Sequence, residues 1–463
     1  MSLIPKEISL HHKRKEKDFT RERKLPFPKL IVFILFITVS GKGKGVDSKS
    51  GEFFRNARRS GLWPSAQAAH RGSISKGRNK ISWEVFKELF YDAVKLAYEL
   101  WPQEMAALPS RNQRSKYLWQ GISVFAIDGS RYTLPATEQI REEFDPKSGF
   151  EYKGKGHYPQ CLVSTAYDVF RRLPIARTIV NANASEREQV KELLPHIPPN
   201  NLLLFDRGYP SYELIHYLSK NYSGHYLFRC RISETFSVVK KFLESNQEDG
   251  IIEIVPTNKS KARFSEHERK NLRPIKLRVI RMTSPDGTLS VLLTNLMNKI
   301  EIRRESIIDL YFRRWEVEVY YRDEKIYLEV EKFHSKNCNG IRQELFAAVT
   351  MSVIARILMV VSSRNGDSQD AQDAQDSQDS QDSRGVDQAE PQFKNAVMTI
   401  AAEAVVLTPE NPQKAIAIFR EILDEIRRVK YYRPKTPKPP KPRVTKRAKN
   451  KWLRKRDGKM NNP

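Results

Sequence analysis

The sequence predicts an α/β fold, and three observations carry that prediction. Apolar residues recur at helical spacing ahead of residue 118, short apolar runs of strand length fill 119–300, and a long charged helix follows from Ile302. Two of the short runs stop at an aspartate, so that a carboxylate stands at the end of a buried strand.

A chain of 463 residues is long enough for several domains. Hydrophobic residues make up 39% and aromatics 10%, so a sizeable core can be buried and wholesale disorder is excluded. Lys and Arg number 81 against 55 Asp and Glu, a net charge of +26. That surplus favours a polyanionic partner, because each basic group that neutralises a phosphate releases a condensed counterion. Charge alone leaves ribosomal RNA and membrane surfaces open. Cys161, Cys230 and Cys338 form no C-x-x-C pair, which argues against a disulfide framework or a Cys-rich zinc site and fits a reducing cytoplasm.

Residues 1–28 read as a charged, mobile arm, and 29–118 as a helical region. Its apolar run Leu30–Val39 is much shorter than the roughly 20 residues needed to cross a bilayer. The run has mixed charges before it and Gly41-Lys42-Gly43-Lys44-Gly45 after it, so it reads as a buried helix or strand, not a signal peptide. The Gly/Lys stretch lacks the G-x-x-x-x-G-K-[ST] spacing of a phosphate-binding loop. Trp83, Phe86, Phe90, Ala93 and Ala97 form the buried stripe of a helix. Arg55, Arg58, Arg59, Arg71, Lys76, Arg78 and Lys80 crowd the same region, either as a solvated face or as a patch for nucleic acid.

Between 119 and 222 the expected strands are Ser123–Ile127, ending at Asp128, then Leu162–Val169, Arg177–Val180 and Leu202–Phe205, ending at Asp206. The turn Arg207-Gly208-Tyr209-Pro210 follows, with Ser211 capping a helix from Tyr212. Residues 223–300 hold strands at Tyr226–Arg229, Ile251–Val255, Ile275–Ile280 and Leu289–Thr294. Residues 301–365 carry helices at Ile302–Lys325 and Ile341–Val361. Five consecutive Ser/Ala-Gln-Asp triplets mark 366–392 as a disordered insert with almost nothing to bury. A helical segment at 393–430 precedes a Pro-rich tail, 431–463, with 13 Lys or Arg after Tyr431 against the single acid Asp457.

Asp128 and Asp206 could hold a divalent cation between them, since hard cations prefer carboxylate oxygens, or could serve as turn formers and helix caps. Tyr311, Arg314, Glu318 and Lys325, at spacings of three, four and seven, share one face of a helix. A phenol, a guanidinium, a carboxylate and an ammonium on one face suit a metal-bound phosphodiester. The same spacing also suits an ordinary salt-bridged helix, through the i,i+4 pair Arg314 and Glu318.

These residues resemble the DDE transposases of bacterial insertion sequences, specifically the insertion-sequence-four family. Tyr311, Arg314, Glu318 and Lys325 match its Y-x2-R-x3-E-x6-K signature position for position. The likeness extends to Ile127-Asp128-Gly129-Ser130 and Leu204-Phe205-Asp206-Arg207-Gly208-Tyr209, with Glu186-Arg187 between them as is usual in the family. It runs from about Lys29 to the tail, and the triplet insert departs from the family pattern.

The resemblance implies a ribonuclease-H-like catalytic core preceded by a helical DNA-binding region. Asp128 would lie on its first strand, Asp206 on a later one and Glu318 on a following helix. A mostly β insertion would occupy the 112-residue interval between Asp206 and Glu318. It implies a transposase that cleaves DNA and transfers strands at the ends of its insertion sequence. Asp128, Asp206 and Glu318 would be the catalytic and metal-holding residues, with two Mg²⁺ ions (Mn²⁺ able to substitute) activating water or a 3′-hydroxyl for in-line attack. Tyr311, Arg314 and Lys325 would hold the terminal phosphates. Trp315, counted with these DNA-binding residues, either stacks on a displaced base or packs in the core. The expected partners are double-stranded DNA, as terminal inverted repeats and target, and a second copy of the chain, in the bacterial cytoplasm at the nucleoid and with no membrane. Tyr311 as a recombinase nucleophile would need an Arg/His cluster and would leave the carboxylates unexplained. The competing classes are a non-catalytic DNA-binding relative and a nuclease with the same core that cuts without joining.

Overall fold

Apolar runs without alternation suit strands covered on both faces, and such runs form the centre of the fold. The computed structural model describes residues 11–20, 24–41, 43, 45–107, 117–146, 158–231, 236–283, 287–376 and 390–431. Helices α1 (Phe27–Val39), α2 (Val46–Arg59), α3 (Arg71–Arg78) and α4 (Glu84–Ala107) come first. Strand β1 (Ser123–Thr133), helix α5 (Glu138–Phe144), strands β2 (Gln160–Asp168) and β3 (Leu173–Asn181), helix α6 (Glu186–Leu193), strand β4 (Asn201–Phe205), helix α7 (Tyr212–Asn221) and strand β5 (His225–Cys230) follow. Next are α8 (Ser237–Glu244), β6 (Asp249–Ile254), α9 (Asn258–Lys261), α10 (Glu266–Asn271), β7 (Ile275–Thr283) and β8 (Leu289–Thr294). The chain continues with α11 (Arg304–Phe312), α12 (Trp315–Ile326), α13 (Cys338–Asp376), β9 (Glu390–Pro391), α14 (Phe393–Ala402), α15 (Pro412–Arg428) and β10 (Lys430–Tyr431). The described residues fall into two units, one drawn from Trp101–Ser130 and Leu162–Arg322, the other from Met1–Leu100, Arg131–Cys161 and Asp323–Pro463.

The first unit is organised by an eight-stranded sheet in the order β3-β2-β1-β4-β5-β8-β7-β6. β4 runs parallel to both β1 and β5, and β8, β7 and β6 add on in antiparallel succession. This is the mixed sheet that the ribonuclease-H-like expectation requires. The strands expected between 223 and 300 are all present: β5 completes the parallel part, and the other three widen the same sheet, with α8, α9 and α10 between them. Arg278 of β7 is fully buried and donates to Asp249 Oδ2 at 2.6 Å and to the Ile302 carbonyl at 2.8 Å. It thereby ties the outer strands to the segment that leads into α11.

Two expectations are corrected here. β1 does not stop at Asp128 but continues to Thr133, so Asp128 lies within the strand. The single helix expected over Ile302–Lys325 is two helices, broken at Arg313-Arg314. At the break Arg313 and Arg314 donate to carbonyls three residues back, Leu310 and Tyr311, a tighter turn than the α-helix makes.

In the second unit, α1 is buried at every position from Leu30 to Val39, as a helix apolar all round must be. It carries Phe33 and Phe36 into an aromatic cluster with Phe53, Phe54 and Trp63, and the Trp63 indole donates to the Thr408 carbonyl at 2.8 Å. Cys338–Ser363 of α13 is long and apolar enough to cross a membrane, but 83% of its most apolar window is buried inside the protein. Part of the expected mobile arm is tied down: Arg14 donates to the Lys80 carbonyl, and buried Asp18 lies 3.1 Å from Lys80. Arg78, grouped above with the basic surface, is buried and paired with buried Glu344 at 3.0 Å. Its charge is committed to the core, since a buried cation needs a partner.

α13 extends past Arg364 through the first triplets to Asp376, where disorder was expected from 366. The expected tail begins with a short ladder, Lys430–Tyr431 against Glu390–Pro391. The remaining tail after Tyr431 and residues 377–389 of the insert lie outside the described residues.

Candidate active site

Strand register creates the site. Ile127 of β1 pairs with Phe205 of β4, so Asp128 and Asp206 follow as the next residues on neighbouring parallel strands, which lie about 4.8 Å apart. The two apolar runs hold the strands in the core while their next residues carry the charge. Asp206 closes its own turn by accepting from the Gly208 amide at 2.6 Å.

α12 brings the third carboxylate to this edge. Tyr321 donates its hydroxyl to the Asp128 carbonyl at 2.8 Å and to the Val163 carbonyl at 3.2 Å. Arg177 of β3 donates to the Tyr320 hydroxyl at 2.8 Å, and Tyr167 of β2 stacks on the Tyr320 ring. With the helix fixed in this way, Arg314 at the break is buried and donates from Nη2 to Glu318 Oε1 at 2.6 Å, with its Nη1 4.0 Å from Asp128 Oδ2. One guanidinium therefore spans two of the three expected catalytic carboxylates. Among the described residues its buried Nε and Nη1 have no hydrogen-bond partner, two donors left over for an anion.

Burial raises the Asp128 carboxyl to about 7; the Arg314 cation opposes the rise, and the neighbouring Asp206 and Glu186 charges add to it. Tyr311 is buried and its phenol is pushed up to about 12 by desolvation, with the Arg314 and Arg229 charges acting against the rise.

The sequence-selected residues divide between the two units. Asp128, Asp206, Tyr311, Arg314 and Glu318 belong to the sheet unit. Trp315 also belongs to it, and at 45% exposure it is a surface side chain, which rules out core packing. Lys325, farther along α12 in the other unit, donates to the Arg131 carbonyl at 2.7 Å and lies over the Tyr132 ring. Two other glutamates of α12 are engaged elsewhere: Glu316 lies 3.7 Å from Arg172, and buried Glu324 accepts from the Tyr132 hydroxyl.

Glu186, Arg187 and Tyr209, quoted with the family motifs but assigned no role there, also contribute to the site. A Cβ on Gly129 would stand 2.7 Å from Glu186 Cδ, so the Glu186 carboxyl lies on the backbone beside Asp128. Arg187 donates to the Gly208 carbonyl from Nε at 3.0 Å and Nη2 at 2.8 Å. Tyr209 is buried, and its hydroxyl has no hydrogen-bond partner among the described residues.

Among the described residues, no three His, Cys, Asp or Glu side chains already converge to enclose a metal ion. The donor chemistry nevertheless fits a hard divalent cation. The Asp206 and Glu186 charges both act on the Asp128 carboxyl, the oxygens are of the type such ions prefer, and Arg314 neutralises only part of the charge.

Residues 119–354 match the family described as Transposase DDE domain. Among curated proteins, the chain is 22% identical to the transposase InsG for insertion sequence element IS4 of Escherichia coli (strain K12) over 245 residues, 52% of this chain and 53% of that protein. It is 25% identical over 206 residues to the putative transposase y4zB of Sinorhizobium fredii, covering 44% of this chain and 55% of that one. A putative transposase for insertion sequence element IS4SA of Synechocystis is 25% identical over 207 residues, 44% of this chain and 54% of that one. The chain spans about half the length of the curated relatives it matches. Among solved structures, a piggyBac transposase synaptic complex with hairpin DNA aligns with a TM-score of 0.41 at 10% identity, over 90% of this chain and 80% of that one.

Proposed function

This chain belongs to the Transposase DDE domain family, and from that premise we propose that it cleaves DNA at the ends of its insertion sequence and joins those ends to target DNA. The observation that carries the reading is the β1/β4 register, which sets Asp128 beside Asp206, together with Arg314 linking Asp128 to Glu318. Asp128, Asp206 and Glu318 are the proposed ligands of two Mg²⁺ ions, for which Mn²⁺ could substitute. When bound, the ions supply charge stabilisation to the attacking and leaving oxygens of the phosphodiester.

The chain's own groups bind and orient the substrate. Arg314, with two unpaired buried N–H donors, is suited to grip a phosphate, and Tyr311 adds a phenol beside it. The exposed ring of Trp315 offers a platform for an unpaired base. Lys325 supplies a further cation. Terminal repeats and target duplex would be gripped through the basic surface, phosphate contacts fixing position and base edges giving sequence, with two copies of the chain pairing the two ends. A strand-transfer assay on a labelled element end in Mg²⁺ tests the proposal. Joined products are expected; cut ends alone would indicate a nuclease, and a mobility shift alone a binding protein.

A further inference from the structure

We propose that Glu186 is a further cation-binding carboxylate of this centre, acting with Asp128 and Asp206 to take up a divalent metal before DNA arrives. The inference rests on the metal-dependent reading above. Its first support is position. Glu186 opens α6, and its carboxyl is folded over Gly129, where an added Cβ would meet Cδ at 2.7 Å and Oε1 at 3.0 Å. Only a glycine after Asp128 leaves room for it.

The second support is the next residue. Arg187 clamps the Gly208 carbonyl with two hydrogen bonds, while the Gly208 amide donates to Asp206 Oδ1 at 2.6 Å. The dipeptide thus touches both aspartate motifs at once, Glu186 the first and Arg187 the second.

The third support is Tyr209, 1% exposed and with no partner for its hydroxyl among the described residues. Its neighbours in the field are Glu186, Asp128 and Asp206, whose charges together with burial hold the phenol in its protonated form. A buried O–H with no partner among the described residues, in the field of those carboxylates, is a group that a hydrated cation would satisfy.

Mn²⁺ titrated calorimetrically into the metal-stripped, DNA-free full chain tests this. Glu186→Gln should weaken Mn²⁺ binding by about ten-fold or more, the smallest effect expected for a group that supports a metal site, and Glu186→Asp should recover part of it. Glu188→Gln removes the same charge from an exposed acid paired with Lys191 at 2.7 Å and should leave binding unchanged. Asp128→Asn and Asp206→Asn should weaken binding as well. Wild-type affinity in Glu186→Gln, with both aspartate variants weakened, would overturn this proposal and leave the metal-dependent reading standing. Wild-type affinity in all three would overturn that reading too. Equal losses in Glu186→Gln and Glu188→Gln would reduce the effect to general charge and overturn the proposal. Circular dichroism of each variant in chelator confirms that a fold is present to bind.

Discussion

Arg314 is the residue on which the site's charge balance turns. It is buried, 2.6 Å from Glu318 and 4.0 Å from Asp128, and only a planar fork of donors reaches both. Arg314→Lys keeps the charge but offers one compact ammonium, so cleavage should fall on the order of 100-fold, the cost of losing one preorganised donor. Arg314→Ala should fall further and also lower the melting temperature, because two partly buried carboxylates lose their cation. Cleavage rates and melting curves on the two variants check this, and wild-type cleavage by Arg314→Lys would contradict it. Gly129 makes a second test at this scale. A Cβ there, 2.7 Å from Glu186 Cδ, is accommodated by swinging a flexible side chain. Gly129→Ala should therefore cost little stability and much activity, measured on the same preparation.

At the scale of elements, the outer strands hold the segment leading into α11 through Arg278 and Asp249. Burial raises the Asp249 carboxyl, but hydrogen bonds from Arg278 and Lys299 outweigh it and hold the group below its ordinary 3.8. A carboxyl depressed in the folded state stabilises fully above its unfolded value and loses that contribution as pH falls through the folded one. Thermal melts against pH should show Asp249→Asn less stable than wild type at pH 6, with the gap closing below about pH 4. A gap independent of pH would remove the ion pair from the account. Arg278→Leu leaves Asp249 with Lys299 alone and should cost about 3 kcal/mol in denaturant unfolding.

Much of this level was legible in the chain. The strands ending at Phe205, the Ser211 cap, which accepts from the Leu214 amide, and the all-apolar α1 follow from local patterns that tertiary packing reinforces. Tyr311, Arg314 and Glu318 were found because three- and four-residue spacings survive the tight turn at Arg313-Arg314, which for the same reason stayed hidden. β1 read as ending at Asp128 because its apolar run stops at that carboxylate, whereas the strand continues through Gly129, which leaves room for Glu186, 57 residues away in sequence. Arg78 read as surface because its partner Glu344 is remote in the chain. Pairings of that range leave no local signature.

For the whole molecule, the net charge of +26 says that binding to DNA should be steep in salt. The 13 basic residues after Tyr431 lie outside the described residues, and their spacing by prolines suits an extended arm. Deleting residues 434–463 should weaken binding to an element end and to a scrambled duplex by similar factors. The salt slope should become shallower by about 0.9 for each phosphate that the shortened chain no longer neutralises. An unchanged slope would make the tail a spectator, and a weakening confined to the element end would make it a sequence reader. The central claim is that one carboxylate triad joins DNA, and joining is best measured with the full chain, a precut labelled element end and a target plasmid in Mg²⁺. The account predicts joined product from wild type and none from Asp128→Asn, Asp206→Asn or Glu318→Gln, each still shifting the labelled end in a gel. Joined product from any of the three at the wild-type rate would contradict it.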